Sequence, residues 1–291
     1  MDKTITGHTG LTALLGSPVA HSISPMMHNE SFQLLNLDYV YLCFDIKEEQ
    51  LETAVNGLKT MGIRGFNLTM PNKNKIVEML DELSPAAKMI GAVNTVLHEN
   101  GRLIGYNTDG IGFTRSVADA GHTIAGQTLT LMGAGGAATA IAAQTALDGA
   151  AVLNIFARPT SRFWERTCRL VRNINETTSC KAYLYDNADD TQLHTSLENS
   201  HMLINATSVG MAPNTDASII PDASYFHPNL VVADVIYNPQ ETKLLKMARE
   251  AGCATFNGMY MLLYQGAEAF KIWTGKEMPV ETIKEKYFRT V

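Results

Sequence analysis

Near its middle the chain reads Leu129-Thr130-Leu131-Met132-Gly133-Ala134-Gly135-Gly136-Ala137-Ala138, an apolar run passing straight into G-x-G-x-x-A. The first glycine permits a tight turn, the second lets backbone approach a pyrophosphate, and the small Ala138 lets helix and strand pack closely. A helix opening here aims unpaired N–H groups and the positive end of its dipole at phosphates. Gly133, Ala134, Gly135, Gly136 and Ala137 are therefore the expected phosphate contacts. A glycine trio alone is equally a plain turn. Its place between a strand and a helix makes it a dinucleotide fingerprint.

The end of the next strand bears on which dinucleotide is held. A carboxylate there would grip an adenosine 2′-hydroxyl. This chain instead reads Ile155-Phe156-Ala157-Arg158-Pro159-Thr160-Ser161-Arg162, with no acid before Glu165. Arg158 and Arg162 can fork onto a 2′-phosphate, which points to NADP, with NAD a possible second carrier. The alternative is a pair of solvated surface arginines. Further upstream, Ser22-Ile23-Ser24-Pro25 reads as a helix start, with Ser24 the N-cap and Pro25 the first helical residue. Two hydroxyls at a helix N-terminus make a seat for a small carboxylate, or simply a capped helix.

These groups need elements to hold them. Strand patterns occupy residues 11–16, 39–46, 65–70, 92–98 and 102–106, with helical patterns at 25–35, 48–61 and 73–83. Leu51, Val55 and Leu58 share one face of the second helix, and Glu99-Asn100-Gly101 reads as a turn. A second series has strands at 128–132, 151–157, 202–205, 230–235 and 254–256. Its alanine-rich helix, 137–147, closes on Gly149. From Met259 onward the pattern is helical, with Leu262, Leu263, Ala267 and Phe270 spaced for burial. Strand–helix alternation predicts two α/β domains with mostly parallel sheets. The first spans 1–109, with the helices of 259–291 packing back on it. The second, 110–258, is a Rossmann dinucleotide-binding domain.

Composition narrows the function classes. A chain of 291 residues exceeds one compact core of ordinary size, which suits two domains. A net charge of −6 without charge blocks excludes a nucleic-acid backbone as partner. Cys43, Cys168, Cys180 and Cys253 are scattered, and no metal-ligand spacing occurs. Free thiols and no signal peptide fit a cytoplasmic protein. Residues 120–147 carry no charged side chain, but their glycines, threonines and glutamines break a membrane span into strand, turn and helix. Monomer and homodimer both stay open.

Several further motifs fall in one order along the chain. They are Ser17-Pro18-Val19-Ala20-His21-Ser22-Ile23-Ser24-Pro25, Asn67-Leu68-Thr69-Met70-Pro71-Asn72-Lys73, Gly91-Ala92-Val93-Asn94-Thr95 and Gly105-Tyr106-Asn107-Thr108-Asp109-Gly110. Asn205-Ala206-Thr207-Ser208-Val209-Gly210-Met211, Asp234-Val235-Ile236-Tyr237-Asn238-Pro239 and Tyr264-Gln265-Gly266-Ala267 follow. This series resembles the shikimate dehydrogenases across essentially the whole chain. The segments at 81–88 and 273–276 are most similar to the quinate/shikimate branch. The resemblance implies hydride transfer between a nicotinamide dinucleotide and shikimate, in chorismate and aromatic amino acid biosynthesis, with quinate as the alternative acid. A non-catalytic metabolite sensor on the same scaffold is the reading from another class.

The resemblance also assigns roles. It implies a Lys73–Asp109 dyad at the ring hydroxyls, where oxidising an alcohol needs a group to take the hydroxyl proton. On the residues alone, Lys73 is equally an exposed helix-start lysine and Asp109 a helix cap. Ser22 and Ser24 become the carboxylate seat. Asn67, Thr69, Asn94 and Gln265 become ring-hydroxyl partners, since each unmade hydrogen bond would be penalised. Tyr237 and Gly258 border the nicotinamide, with Tyr237 on the substrate, and Thr207, Ser208 and Val235 add dinucleotide contacts. The chain departs from the family at Ala157, where Asn is usual before the arginine. Thr160 stands where the quinate/shikimate branch often has an acid. Asn67 matches the shikimate-selective members rather than the serine of the dual-specific ones.

Overall fold

The computed structural model describes residues 4–288. They divide into two compact units, one of residues up to Thr108 together with those from Leu263 on, the other Asp109–Leu262.

The first unit opens with β1 (Gly10–Gly16), α1 (Ser24–Leu34), β2 (Tyr39–Asp45), α2 (Leu51–Thr60) and β3 (Gly65–Leu68). It continues with β4 (Glu82–Leu83), α3 (Pro85–Ile90), β5 (Thr95–Glu99) and β6 (Arg102–Tyr106). The sheet order is β2-β1-β3-β5-β6-β4. Only β5 runs antiparallel to its neighbours, β3 and β6. Its hairpin to β6 turns on Asn100 and Gly101 at φ 52° and 76°, the left-handed pair that a two-residue turn requires. Leu51, Val55 and Leu58 of α2 bury against Phe66, Val96 and Leu103 of the sheet, as their spacing predicts.

The helix expected over 73–83 does not form. Residues Lys75–Met79 make a 3₁₀ turn, and Leu80 is already extended. Asp81 explains the break. Its backbone N–H donates to the Leu103 carbonyl at 2.9 Å, and its carboxylate accepts from the Leu103 N–H at 2.7 Å. That exchange draws the chain into β4 beside β6, which outweighs a helix containing the β-branched pair Ile76 and Val77.

The second unit holds α4 (Asp109–Asp119), β7 (Thr128–Met132), α5 (Gly136–Leu147), β8 (Val152–Ala157), α6 (Trp164–Thr177), β9 (Lys181–Asp186) and α7 (Asp190–Glu198). After these come β10 (Met202–Asn205), β11 (Val231–Asp234), α8 (Lys243–Glu250) and β12 (Ala254–Phe256). The all-parallel order β12-β11-β10-β7-β8-β9 is the doubly wound nucleotide-binding arrangement. Its order reverses between β7 and β10. Helix α5 is buried through Ala138, Ala140, Ile141, Ala142 and Ala143, and Gly149 follows its end at φ 86°.

Helices α9 (Met259–Thr274) and α10 (Val280–Tyr287) end the described chain. Trp273 on α9 donates its indole N–H to the Val96 carbonyl at 2.9 Å, and the Arg64 Nε donates to the Trp273 carbonyl at 2.7 Å. Lys286 on α10 pairs with Glu30 of α1 at 2.8 Å. The C-terminal helices therefore pack on the first unit's sheet. Among the described residues no helix is long and apolar enough to cross a membrane.

Candidate active site

Strand β7 delivers the glycine turn to the point where the second sheet's order reverses. Gly133 has φ 121°, and a β-carbon there would stand 2.7 Å from the Ala206 carbonyl at the end of β10. Glycine is required on both counts. A cavity of about 870 Å³ opens beside it, lined by Gly133, Ala134, Gly135, Arg158, Arg162, Thr207 and Ser208. Gly136 and Ala137 form the first turn of α5 behind it. Val235 and Gly258 do not line this cavity; they pack so tightly on each other that a β-carbon on Gly258 would come within 2.0 Å of the Val235 carbonyl.

Sequence reasoning missed part of this cavity. Asn187 lines it and donates its backbone N–H to the Ala157 carbonyl at 3.0 Å. An amide thus stands beside Ala157, where the family's usual asparagine is lacking. Phe163 also lines the wall, with the Arg162 and Arg166 guanidiniums each 4.7 Å from its ring centre. Arg166 donates to the Ala134 carbonyl and the Thr139 hydroxyl, both at 3.1 Å, and so braces the glycine turn. Burial, then the neighbouring Arg162 and Arg169 charges, hold its pKa below the ordinary arginine value. Among the described residues no carboxylate is paired with Arg158, Arg162 or Arg166. Arg158 and Arg162, lining the cavity beside a helix N-terminus without a carboxylate partner, suit a phosphorylated dinucleotide.

The loop carrying Thr207 is held by a buried network. Asn205 accepts from the Thr207 N–H at 3.1 Å and from its hydroxyl at 2.7 Å, and donates to Asp234 at 3.1 Å. Asp234, 1% exposed, also accepts from the Ile236 N–H and the Thr242 hydroxyl. Burial raises its pKa despite these donors. A carboxyl raised in the folded state contributes stability fully present below its unfolded pKa and lost as pH rises through the folded value. Asp234→Asn removes the titrating carboxyl, so the variant should gain stability relative to the parent as pH rises above the ordinary carboxyl range. Urea midpoints at several pH values check this, and a relative gain by the parent would refute it.

In the first unit, α1, β2, β3 and β5 bring polar side chains together. Asn67 donates both amide hydrogens, to the Asn94 carbonyl at 3.0 Å and the Thr95 hydroxyl at 2.9 Å, and accepts from the Tyr41 hydroxyl at 2.8 Å. The Asn94 side-chain oxygen accepts from Thr95 at 3.0 Å and from the Thr108 N–H at 2.8 Å. Cys43, on β2 two residues beyond Tyr41, carries a half-buried thiol. Burial raises that thiol's pKa.

Ser24 is not the N-cap expected from the sequence. Ile23 takes that position with no side-chain cap, and Ser24 is the first helical residue, followed by Pro25. The Ser22 hydroxyl accepts from the Ser24 N–H at 3.2 Å. Thr69 follows β3, its N–H bonded to the Leu15 carbonyl at 3.0 Å. Half-buried Lys73 comes next, its carbonyl accepting from the Val93 N–H at 2.8 Å. Gln265 is half-buried on α9. In the second unit, half-buried Asp109 is the first residue of α4, and Tyr237, after β11, is 46% exposed. Lys73 and Gln265 thus belong to one unit, Asp109 and Tyr237 to the other. Tyr41, Thr95 and Thr108 are network members that sequence reasoning missed.

Fold and site define a dinucleotide-binding α/β protein with a second α/β unit lined by buried polar side chains. Residues 14–96 match the shikimate dehydrogenase substrate binding domain, and 258–286 the shikimate 5′-dehydrogenase C-terminal domain. The chain belongs to the shikimate dehydrogenase family. It is 49% identical to a shikimate dehydrogenase (NADP(+)) of Listeria innocua, over 98% of this chain and 97% of the relative. The shikimate 5-dehydrogenase of Listeria monocytogenes, solved in complex with shikimate and NAD, superposes with a TM-score of 0.95 at 49% identity over 98% of each chain. The quinate dehydrogenase of Corynebacterium glutamicum, solved with NAD, gives 0.84 at 29% identity, over 96% of this chain and 99% of its own.

Proposed function

We propose that this chain interconverts 3-dehydroshikimate and shikimate, with NADP as the preferred hydride carrier and NAD as a weaker one. The observation that carries the reading is the arginine-walled cavity at the sheet's switch point, without a carboxylate to hold a 2′-hydroxyl, in a chain 49% identical to NADP-named relatives. When bound, the nicotinamide supplies or accepts the hydride. The chain's own residues handle the rest. Ser22 and Ser24 seat the ring carboxylate, while Asn67, Thr69, Asn94, Tyr237 and Gln265 recognise the remaining ring face. Lys73 and Asp109 deliver a proton to the carbonyl oxygen on reduction and remove it from the hydroxyl on oxidation. Gly133 to Ala137, Thr207, Ser208, Val235 and Gly258 hold the dinucleotide, and Arg158 and Arg162 its 2′-phosphate. The substrate is a small acid, and the net charge of −6 disfavours nucleic acid. Free thiols at all four cysteines fit the cytoplasm.

Initial rates with shikimate and quinate, each with NADP and NAD, test the assignment. Shikimate with NADP should be the best pair, and quinate turnover exceeding shikimate turnover would overturn it. Arg158→Ala and Arg162→Ala should each raise the KM for NADP about tenfold, since a charge-assisted bond is worth roughly 1.5 kcal/mol or more. The KM for NAD should stay nearly unchanged. Equal losses for both carriers would remove the arginines from the 2′-phosphate.

A further inference from the structure

The two peptide units at the centre of the glycine turn are held through their carbonyls. Arg166 of α6 donates one hydrogen of its Nη2 to the Ala134 carbonyl and the other to the Thr139 hydroxyl, both at 3.1 Å. A guanidinium accepts nothing, so the Thr139 hydroxyl keeps its own hydrogen for the Gly135 carbonyl, which it meets at 2.8 Å. The Thr139 N–H reaches the same carbonyl at 2.9 Å. One side chain thus fixes the Ala134 carbonyl directly and the Gly135 carbonyl through Thr139.

These bonds decide where the donors of the turn point. Both peptide bonds are trans, and in a planar trans unit the N–H points opposite to the C=O. Ala134 and Gly135 line the dinucleotide cavity, whereas Arg166 does not. Carbonyls drawn toward Arg166 and Thr139 therefore turn the N–H groups of Gly135 and Gly136 the other way, the orientation an anion needs. Unheld, a peptide unit ending in glycine is free to flip and present its carbonyl oxygen to the anion. The guanidinium is itself locked. Its Cζ lies 4.7 Å from the Phe163 ring centre, and its Nε is buried without a hydrogen-bond partner. Among the described residues no carboxylate answers its charge, which is left for an anion across the turn.

We infer that Arg166 is a positioning residue for the dinucleotide pyrophosphate: through Ala134 and Thr139 it aims the Gly135 and Gly136 N–H groups into the cavity and backs them with a positive charge. The inference rests on the reading of this turn as the pyrophosphate seat.

Arg166→Met keeps a stem against Phe163 and removes both the donors and the charge. In titrations of the full-length protein its Kd for NADP and for NAD should rise together, each about tenfold, because the pyrophosphate is common to both carriers. Adenosine 2′-monophosphate, which lacks the pyrophosphate, should bind as it does to the parent, which a general loosening of the unit would not allow. Arg166→Lys should recover part of the loss, since its ammonium keeps the charge. Thr139→Val removes the relay at nearly the same shape and should weaken both carriers too. Combined with Arg166→Met, it should cost less than the product of the two effects. If Arg166→Met melts far below the parent, the Thr139→Val titrations decide alone. A loss confined to NADP would move Arg166 to the 2′-phosphate and overturn the inference, as would a parallel loss of adenosine 2′-monophosphate binding. If Gly135→Ala binds both carriers as the parent does, the pyrophosphate seat itself is wrong and the inference falls with it. If Gly135→Ala loses both carriers while Arg166→Met and Thr139→Val lose neither, only the positioning role is overturned.

Discussion

Lys73→Ala should lower kcat for shikimate oxidation by roughly a hundred- to ten-thousand-fold, the range for removing a positioned proton-transfer group. The KM for shikimate should change less than tenfold. The split follows from what the reaction asks of the residue. In the proposed site, binding the ring rests on Ser22, Ser24 and the Asn67–Asn94 network, whose bonds run to Tyr41, Thr95 and the backbone. The hydroxyl proton, by contrast, must leave as the hydride does, so the lysine acts mainly in the transition state. The backbone of Lys73 is bonded through its carbonyl to Val93, and that bond survives truncation. The fold should therefore be kept, as a melting curve will show. Asp109→Asn should give a comparable loss, and the double variant should be little worse than either single one, because groups that act as a unit are not additive. A Lys73→Ala enzyme with near-parental kcat would eliminate the proposed dyad.

The sheets were legible because each strand–turn–helix unit is a local pattern. The glycine turn, the α2 face of Leu51, Val55 and Leu58, and the Gly149 helix stop each depend on residues within a few positions of one another. What escaped reading depends on partners far along the chain. Strand β9 has the burial of an edge strand, with Ala182 its one fully buried position, so its apolar signal is weak. Asn187, immediately after it, was missed with it. The 73–83 helix fails because Asp81 finds Leu103, which periodicity within the segment cannot reveal. Ser24 is a sound N-cap by residue type, yet Ile23 takes the cap position and Ser24 becomes the first helical residue. Tyr41 itself reads as an ordinary strand aromatic until the fold places Asn67, twenty-six positions later, against its hydroxyl.

The glycine turn allows fold and ligand effects to be separated, because Gly133 and Gly135 meet different surroundings. Gly133→Ala should destabilise the second unit by about 2–5 kcal/mol. A side chain at φ 121° is strained, and its β-carbon would press on the Ala206 carbonyl at 2.7 Å, which belongs to backbone at the end of a central strand. Relief requires moving β10 away from β7, and with it the loop carrying Thr207 and Ser208, so dinucleotide binding should fall as well. Gly135 has φ −72° and nothing within 4 Å of where a β-carbon would stand, so Gly135→Ala should leave the melting temperature near that of the parent. Yet Gly135 lines the cavity, and on the proposed reading its missing side chain is the space through which backbone would approach a pyrophosphate. Its variant should therefore lose NADP and NAD binding together, by tenfold or more on the cost of overfilling a close contact. Melting curves and dinucleotide titrations of the two proteins decide the matter. If Gly135→Ala binds both carriers as the parent does, the pyrophosphate does not sit on this turn. If Gly133→Ala melts with the parent, the Ala206 contact is not tight enough to demand glycine.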